Sequence, residues 1–392
     1  IANVPHTIAK LLDASIDGLN PLADAKWRPL GGGLKRAVVL IIDGFGANLF
    51  HKIDQSQLDF NSEARVTDFI TSIFPSTTVA ALSSLWTGVG PNQHGLLGLK
   101  MFFPEYASAG QMLKFSPVFE NFPDALVKAG LHPQTFLSHP GFAQQLKGQD
   151  IKTFSFKGRE IVHSALSLMH GRGVQQETGV YTFSEMLVNI RNLLEKKDGQ
   201  TLFVNGYWPT VDTLSHGYTW EHPVVTAELS NLIYLIREEL VNKLSHSARK
   251  DTALFLVADH GQTCTPINLQ IYLEDYPELA NMLLMRPIGE PRVGYLFAKQ
   301  GMKTAVIDYI NQNLGYAFVA LSSEEAFANQ LFGLGVETEQ AMQRIGDVVI
   351  IAKDGYTLLI EEERAKAARM IGRHGSLTQD EMLVPWLGYR LG

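Results

Sequence analysis

The sequence of 392 residues contains one cysteine, Cys264. A single thiol cannot form an internal disulfide, and it cannot supply the sets of cysteines that hold many structural zinc ions. The sequence therefore excludes both a disulfide-stapled secreted fold and a cysteine-based zinc site. If the chain binds a metal, we expect the ligands to be histidine and carboxylate side chains.

Positive charge is also sparse. Lysine and arginine number 33 against 40 aspartate and glutamate residues, the formal net charge is −7, and the basic residues form no long run. Binding to a nucleic-acid backbone depends on clustered basic side chains, so we expect no nucleic-acid polymer as a partner. The expected partner is a small molecule, and the sequence does not indicate an oligomeric state.

Long apolar runs are missing as well. No stretch reaches the roughly 18 to 20 apolar residues that a membrane-spanning helix needs, and the first residues lack the basic start and apolar centre of a signal peptide. On this basis a cytoplasmic location is favoured. Because the numbered chain begins at Ile1 rather than methionine, an exported form with a removed leader stays open.

Short, apolar, β-branched runs recur along the chain, and several lead into polar loops and helix-like segments. Such runs are typical of parallel strands buried on both faces. We therefore predict an α/β fold with a central, mostly parallel sheet and helices on both faces, formed by residues 1–392 as a single domain. The predicted strands are residues 37–42, 70–74, 100–103, 135–137, 153–156, 201–205, 252–258 and 347–352, and the longer predicted helices are residues 182–195 and 224–244.

Residues 272–329 have a different pattern. A helix is followed by a predicted strand at 293–297, a helix at 302–314, a strand at 316–321 and a further helix. This alternation predicts a small α+β lobe within the single domain.

A cluster of hydroxyl side chains stands where an apolar helix is predicted to begin. Ser76, Thr77 and Thr78 follow Phe74-Pro75 and precede the apolar run that starts at Val79. Hydroxyls and free backbone N–H groups meet at such a position, which suits a bound phosphate. The alternative is that one of the three side chains only caps the helix, and the local pattern by itself favours the cap.

Three aspartates come at or just after the ends of predicted strands. These are Asp43, Asp212 and Asp259, and His216 and His260 lie close to the last two in sequence. The carboxyl ends of parallel strands meet at one edge of a sheet, where ligands bind. Clustered carboxylates repel one another unless a cation lies among them. Aspartate with histidine and no thiolate suits zinc, with manganese or iron as alternatives.

Most of the remaining histidines have no such neighbours, and we interpret them as structural. A lone histidine is more often a buried or surface residue than a ligand. The histidines interpreted in this way are His6, His51, His132, His139, His163, His170, His222 and His246.

Taken in order, the motifs resemble those of the alkaline phosphatase superfamily, and within it the nucleotide pyrophosphatase/phosphodiesterase branch. Each motif is weak by itself, but their order is specific, and they span nearly the whole chain. The motifs are Asp43-Gly44, Phe74-Pro75-x-x-Thr78, Thr87-Gly88, Pro91-x-x-His94-Gly95, Asp212-x-x-x-His216, Ala258-Asp259-His260-Gly261 and His374-Gly375.

The resemblance implies a two-metal phosphoester hydrolase of the phosphodiesterase or nucleotide pyrophosphatase type. Its two divalent ions, with zinc favoured, would act with a covalent phospho-threonine intermediate on Thr78. Phosphomonoesterase, phosphonate hydrolase and phosphoryl-transfer activities at the same site stay open, as does a non-catalytic metal-binding protein. The implied ligands are Asp43, Thr78, Asp259 and His260 for one ion, and Asp212, His216 and His374 for the other.

The residues that would hold the substrate depart from this branch. Diesterase members have an aromatic residue directly after the nucleophile and an asparagine three residues after it, where this chain has Val79 and Ala81. Tyr207 matches a base-stacking tyrosine, and Trp208 is its neighbour, so both are candidate substrate-binding residues for a phosphoester such as a nucleotide. Arg373, next to His374, could contact a phosphate, but the interpretation that we favour is a solvated surface residue.

Overall fold

The computed structural model describes residues 1–120, 122–196 and 199–392. None of the helices in these ranges has the length and apolar character that crossing a membrane requires. In chain order, the strands are β1 (Arg36–Ile42), β2 (Ala64–Thr71), β3 (Lys100–Phe103), β4 (Ser108–Gln111), β5 (Ser116–Pro117), β6 (Lys152–Gly158), β7 (Gln176–Val180), β8 (Leu202–Trp208), β9 (Thr252–Val257), β10 (Thr263–Cys264), β11 (Gln270–Tyr272), β12 (Ile288–Glu290), β13 (Val293–Leu296), β14 (Phe318–Ser322), β15 (Val348–Ala352), β16 (Thr357–Leu359), β17 (Gly372–Arg373) and β18 (Leu383–Arg390).

The helices lie between these strands and are mostly short. A π-helical turn, Ile236–Val241, extends α11. The α-helices are α1 (Val4–Leu11), α2 (Ala47–Phe50), α3 (Thr78–Thr87), α4 (Pro91–His94), α5 (Ala125–Lys128), α6 (Pro133–Phe136), α7 (Phe142–Lys147), α8 (Ala165–His170), α9 (Phe183–Lys196), α10 (Thr210–Tyr218), α11 (Pro223–Leu235), α12 (His246–Arg249), α13 (Pro277–Met282), α14 (Lys303–Asn313), α15 (Ser323–Ala328), α16 (Glu339–Gln343), α17 (Arg364–Ala367) and α18 (Gln379–Met382).

The central sheet has seven strands in the order β2, β18, β9, β1, β8, β6, β7. Strands β9, β1, β8, β6 and β7 pair in parallel, and β18 pairs antiparallel with both β9 and β2. Every residue of the middle strand β1 is buried, as expected for a parallel strand covered on both faces. This architecture, with helices flanking the sheet, confirms the predicted α/β fold with a mostly parallel sheet.

Helix α9 illustrates how the sheet is covered. Its buried positions recur every three to four residues, so one stripe of the helix faces the sheet. Those residues join the same apolar core as the strands β1, β8 and β9. The residues of this stripe are Phe183, Met186, Leu187, Ile190 and Leu194.

A second, antiparallel sheet lies outside the central one, with strand order β12, β13, β15, β14. Residues 272–329 contribute three of these strands, and β15 comes from further along the chain. Helices α13 and α14 pack on this sheet through a separate apolar cluster. The division of the chain into one domain with a lobe at 272–329 stays a prediction.

Two of the strand predictions need correction. Residues 135–137 belong largely to α6, because Pro133 occupies its first turn, where the fixed φ of proline favours a helix. Residues 70–74 lie mostly beyond β2, which ends at Thr71. Beyond Thr71 the pairing with the chain before β18 continues for one more hydrogen bond, from the backbone N–H of Ser72 to the carbonyl oxygen of Met382 at 2.6 Å.

Candidate metal centre

The hydroxyl groups at the start of α3 point to three different partners. Ser76 donates to the carbonyl of Ser376 at 2.7 Å, and Thr77, the N-cap residue, donates to Glu290 at 2.8 Å. The hydroxyl oxygen of Thr78 lies 3.1 Å from Nε2 of His260. The capping interpretation is therefore wrong for Thr77, and of the three hydroxyls only that of Thr78 faces the histidine.

The aligned ends of three parallel strands bring the aspartates together. Asp43 follows β1 directly, and Asp259 comes two residues after β9. Asp212 lies in α10, a helix that the sequence patterns did not predict, and its backbone N–H donates to the carbonyl of Asp43 at 3.0 Å. Gly44 permits this approach, because a Cβ atom there would lie 2.9 Å from Cα of Asp212.

Asp43, Asp259 and His260 form a first group of buried ligand atoms. Nε2 of His260 lies 3.5 Å from one carboxylate oxygen of each aspartate. Oδ1 of Asp43 and Oδ2 of Asp259 are buried and have no hydrogen-bond partner among the described residues. Buried carboxylate oxygens normally have partners, so these two, beside the hydroxyl of Thr78, have the character of metal ligands.

Asp212, His216 and His374 form a second group next to the first. The ligand atoms of Asp212 and His374 cluster with a nitrogen of His260, and His216 joins this group through Asp212. Nε2 of His216 lies 3.4 Å from Oδ2 of Asp212, and Nε2 of His374 lies 3.7 Å from Oδ1. The ring of His374 stacks on that of His260 at 3.7 Å between centroids. The side-chain amide of Gln262 donates to the backbone carbonyl of Asp212 at 3.1 Å and also to its carboxylate, which fixes that carboxylate in place.

The three histidines are oriented in the same way. Nδ1 of His216 lies 2.7 Å from the carbonyl oxygen of Gly372, and Nδ1 of His374 lies 2.9 Å from that of Ser76. Nδ1 of His260 lies 3.0 Å from the carbonyl oxygen of the next residue. A carbonyl oxygen only accepts, so each Nδ1 carries the proton and each Nε2 has a free lone pair. Metal-ligating histidines are held by backbone carbonyls in this manner.

Electrostatics also favour a cation at this position. Burial, followed by the charges of Asp259 and Asp212, raises the pKa of Asp43 well above its usual range. Burial likewise raises the pKa of Asp259 and lowers that of His374 well below its usual range. Within the described ranges, no lysine or arginine forms an ion pair with Asp43 or Asp259. A divalent cation would relieve the repulsion between these carboxylates, so the residues present fit a metal.

The six predicted aspartate and histidine ligands and Thr78 meet in this region, but the two predicted substrate residues separate. Successive side chains of a strand point to opposite faces. The hydroxyl of Tyr207, at the end of β8, donates to Oδ2 of Asp43, whereas the ring of Trp208 packs on Phe183 with 5.7 Å between centroids. Substrate binding by Tyr207 and Trp208 stays a prediction.

Two cavities open beside Thr78, and Thr78, Asp212 and Leu113 line both of them. The charged cavity, of about 290 Å³, is lined by Lys100, Glu290, Glu363, Lys366, Arg373 and His374, among others. The apolar cavity, of about 270 Å³, is lined by Leu82, Trp86, Ile161, Leu166, Tyr207 and Asn205, among others.

Three residues in this region have a place that the sequence did not reveal. Arg373 is only 7% exposed, so its interpretation as a solvated surface residue is wrong; the chain there pairs as β17 with β10. Gln262 stands three residues after Asp259, and that short spacing is the signal that could have identified it. Glu290 reaches Thr77 from the second sheet, a contact that no local pattern predicts.

Together, the fold and this site define a member of the alkaline phosphatase superfamily. The sequence model of the family described as type I phosphodiesterase / nucleotide pyrophosphatase matches residues 37–377. The chain belongs to that family, which confirms the resemblance and indicates a phosphoester hydrolase. No curated protein sequence matches this chain.

Solved structures share the fold at low sequence identity. Murine ectonucleotide pyrophosphatase/phosphodiesterase 5 is 16% identical with a TM-score of 0.66, covering 90% of this chain and 87% of its own. A second structure of the murine protein, an inactive variant with a threonine replaced by alanine, is in complex with AMP. Phosphonoacetate hydrolase from Sinorhizobium meliloti 1021, in complex with phosphonoformate, is 17% identical with a TM-score of 0.66, covering 91% of this chain and 90% of its own.

Proposed function

We propose that this protein is a two-metal hydrolase of phosphodiester or pyrophosphate bonds with Thr78 as its nucleophile. The first group of ligands together with Thr78 would hold one divalent ion, and the second group would hold the other. Zinc is favoured, with manganese or iron as alternatives. When bound, the ions would lower the pKa of a coordinated hydroxyl and offset the charge of the phosphoryl oxygens.

The chain itself would position and stabilise the reacting groups. Thr78 is the first residue of α3, and the first bond of the helix is made by the N–H of Ala81 to the carbonyl of Thr77 at 2.9 Å. The N–H groups of Thr78, Val79 and Ala80, in the first turn of the helix, are therefore available to a phosphoryl oxygen, and the helix N-terminus favours negative charge. This arrangement supports Thr78 over Thr77, whose hydroxyl is committed to Glu290.

The proposed reaction has two steps. The hydroxyl oxygen of Thr78 forms a bond to phosphorus as the bond from phosphorus to the leaving oxygen breaks, which yields a phospho-threonine. Water then cleaves this ester, releases the second product and restores the hydroxyl of Thr78. The inactive threonine-to-alanine variant among the structural relatives supports this choice of nucleophile.

The single observation that carries the diester preference is the pair of cavities that share Thr78. A diester or pyrophosphate has two arms, and each cavity can take one, whereas a monoester needs only one. A nucleotide substrate is supported by the murine relative bound to AMP. Phosphonate hydrolysis is the second candidate. The phosphonoformate-bound relative has the same fold, and Val79 and Ala81 replace the residues expected of a nucleotide diesterase.

The test compares wild-type protein with Thr78→Ala and Thr78→Ser after loading with zinc, manganese or iron. We expect Thr78→Ala to lower hydrolysis of bis(4-nitrophenyl) phosphate by roughly a thousandfold or more. Thr78→Ser keeps a hydroxyl and should retain part of the activity. Acid quenching followed by mass spectrometry should find the phosphoryl group on Thr78 of the wild type.

The same assay separates the candidate functions. A nucleotide 4-nitrophenyl ester, 4-nitrophenyl phosphate and phosphonoacetate serve as the comparison substrates. Faster turnover of the monoester or of phosphonoacetate than of both diesters would favour the alternatives. Unchanged hydrolysis by Thr78→Ala would contradict the proposed nucleophile.

A further inference from the structure

Arg373 is a buried cation that forms no ion pair with any residue that the structure describes. Its side chain lines the charged cavity together with Thr78, although the residue is only 7% exposed. Among the described residues no carboxylate lies within ion-pair distance of its guanidinium group, and its Nε has no hydrogen-bond partner. Burying an unpaired charge is costly, so the arrangement indicates an anion that binds there.

Among the described residues, the other charged groups of the cavity form no ion pair with Arg373. Lys100 is paired with Glu363, with 2.7 Å between Nζ and Oε1. Glu290 accepts hydrogen bonds from the hydroxyl of Thr77 and from the backbone N–H of Leu99. Both bonds go to Oε1 and come from neutral donors, and among the described residues Glu290 forms no ion pair with Arg373.

Lys366 adds a second cation to the same wall. It is exposed, lines the charged cavity and has no ion-pair partner in the part of the chain that the structure describes. With Lys100 paired, the cations left for a ligand are Arg373 and Lys366. Arginine presents a planar fork that binds carboxylate or phosphate through two parallel hydrogen bonds.

We propose that Arg373, assisted by Lys366, forms a subsite for a second anionic group of the substrate. This inference rests on the proposed function. The substrate class is a phosphoester in which one arm ends in a carboxylate or a phosphate that reaches into the charged cavity. The other arm would occupy the apolar cavity, and the bond between Thr78 and phosphorus would form at the junction of the two.

Matched substrates test this subsite. We would compare 2-carboxyethyl 4-nitrophenyl phosphate with its 2-carbamoylethyl counterpart, which has the same shape without the charge. A 2-phosphonoethyl counterpart distinguishes a phosphate-like anion from a carboxylate. For metal-loaded wild type, we expect kcat/KM for at least one of the two anionic substrates to exceed that of the neutral one by about tenfold.

Variants assign the preference to particular side chains. Arg373→Met should bring the ratio of anionic to neutral kcat/KM close to one, and Arg373→Lys should restore part of it. Lys366→Met, at an exposed position that folding tolerates, should lower the ratio by a smaller factor. Arg65→Met is the control, because Arg65 is 60% exposed and pairs with Asp59, outside the cavity. For each variant, kcat/KM for the anionic substrate is divided by kcat/KM for the neutral one, so a general loss of activity does not change the ratio.

A binding measurement keeps this inference separate from the proposed function. Calorimetric titration of metal-loaded protein with 3-phosphonopropionate and with its amide needs no turnover. If wild type binds 3-phosphonopropionate more tightly than its amide, and Arg373→Met does not, the subsite is supported even when no ester is hydrolysed. A lack of hydrolysis would overturn only the proposed hydrolase. The subsite would be overturned if the ratio of anionic to neutral kcat/KM and the affinity for 3-phosphonopropionate were the same in wild type, Arg373→Met and Lys366→Met. The proposed hydrolase would be unaffected by that result.

Discussion

His216, His260 and His374 differ from His94 and His170 in what surrounds their ring nitrogens. The first three, which we call the carboxylate-facing histidines, turn Nε2 towards aspartate oxygens and Nδ1 towards backbone carbonyls. The other two, the helix-facing histidines, contact hydroxyls of α3. Nε2 of His94 lies 3.1 Å from Oγ of Ser84, and Nε2 of His170 lies 2.9 Å from Oγ of Ser83.

A pKa lowered by burial occurs in both sets, at His374 in the first and at both members of the second, so this property does not identify a metal centre. Burial lowers the pKa of His374 and His170 well below the usual range, and that of His94 to about 3. The sets differ in their partners. Unpaired carboxylate oxygens lie beside the first set, whereas Nδ1 of His94 already accepts a hydrogen bond from the backbone N–H of Leu96 at 3.1 Å. The partners therefore separate ligands from structural histidines.

The largest expected difference is in catalysis. His374→Gln removes a lone pair that the second ion would need, and the loss of several kcal/mol of charge stabilisation should lower diester turnover by about a thousandfold or more. The matched change His94→Gln should leave turnover per folded molecule within a few-fold of wild type. The measurement is kcat/KM with bis(4-nitrophenyl) phosphate after metal loading. Equal losses in the two variants would remove the distinction between the sets.

The next effect concerns stability against pH. In the folded protein His94 stays neutral down to about pH 3, whereas in the unfolded chain it takes up a proton below about pH 6.5. Unfolding therefore binds a proton in this window, and stability falls as the pH decreases. Relative to His94→Gln, the wild type should lose about 1.4 kcal/mol per pH unit below 6.5.

Urea denaturation of chelator-treated protein between pH 7 and pH 4.5 measures this difference. Chelation removes the pH dependence of metal binding, and the other titrating groups are the same in the two proteins, so their effects cancel in the comparison. If the free energy of unfolding changed with pH in the same way in wild type and His94→Gln, the lowered pKa of His94 in the folded protein would be contradicted.

The smallest effect is expected at Tyr207. Its hydroxyl donates to Asp43, so Tyr207→Phe removes an outer partner of a proposed ligand and keeps the ring. Loss of such partners typically costs 10- to 100-fold in metal affinity or activity, and titration with zinc under competition by a chelator would measure it. Tyr389→Phe, which removes a hydroxyl bonded to the carbonyl of Leu58, is the control. Equal zinc affinity in both variants would contradict a supporting role for Tyr207.

The sequence predicted the central strands β1, β6, β8 and β9 and the candidate ligands, because both depend on local patterns, whereas β7 and β18 were not predicted. Buried β-branched runs marked the strands, and Asp43 and Asp259 stood directly at or just after their ends. Topology then brings those ends to one edge, which the parallel pairing of β1 with its neighbours explains. The family match over residues 37–377 confirms the resemblance that the ordered motifs suggested.

What the sequence could not predict depends on contacts between distant segments. Arg373 was interpreted as a solvated surface residue because its neighbours in sequence gave no indication of burial. Glu290 bonds to Thr77 across more than two hundred residues. His94 belongs to one of the family motifs, yet its contacts are structural, and only its hydrogen-bond partners reveal this. Residues 135–137 were predicted as a strand although Pro133, which stands before them, favours the first turn of a helix.

The most direct test of the account is the metal content of purified protein. After dialysis against zinc and removal of free metal, elemental analysis should find two ions per chain for wild type and for His94→Gln, and fewer than two for His374→Gln. This result would tie the ions to the carboxylate-facing histidines. An ion-free wild type, or the same content in all three proteins, would contradict the proposed two-metal centre.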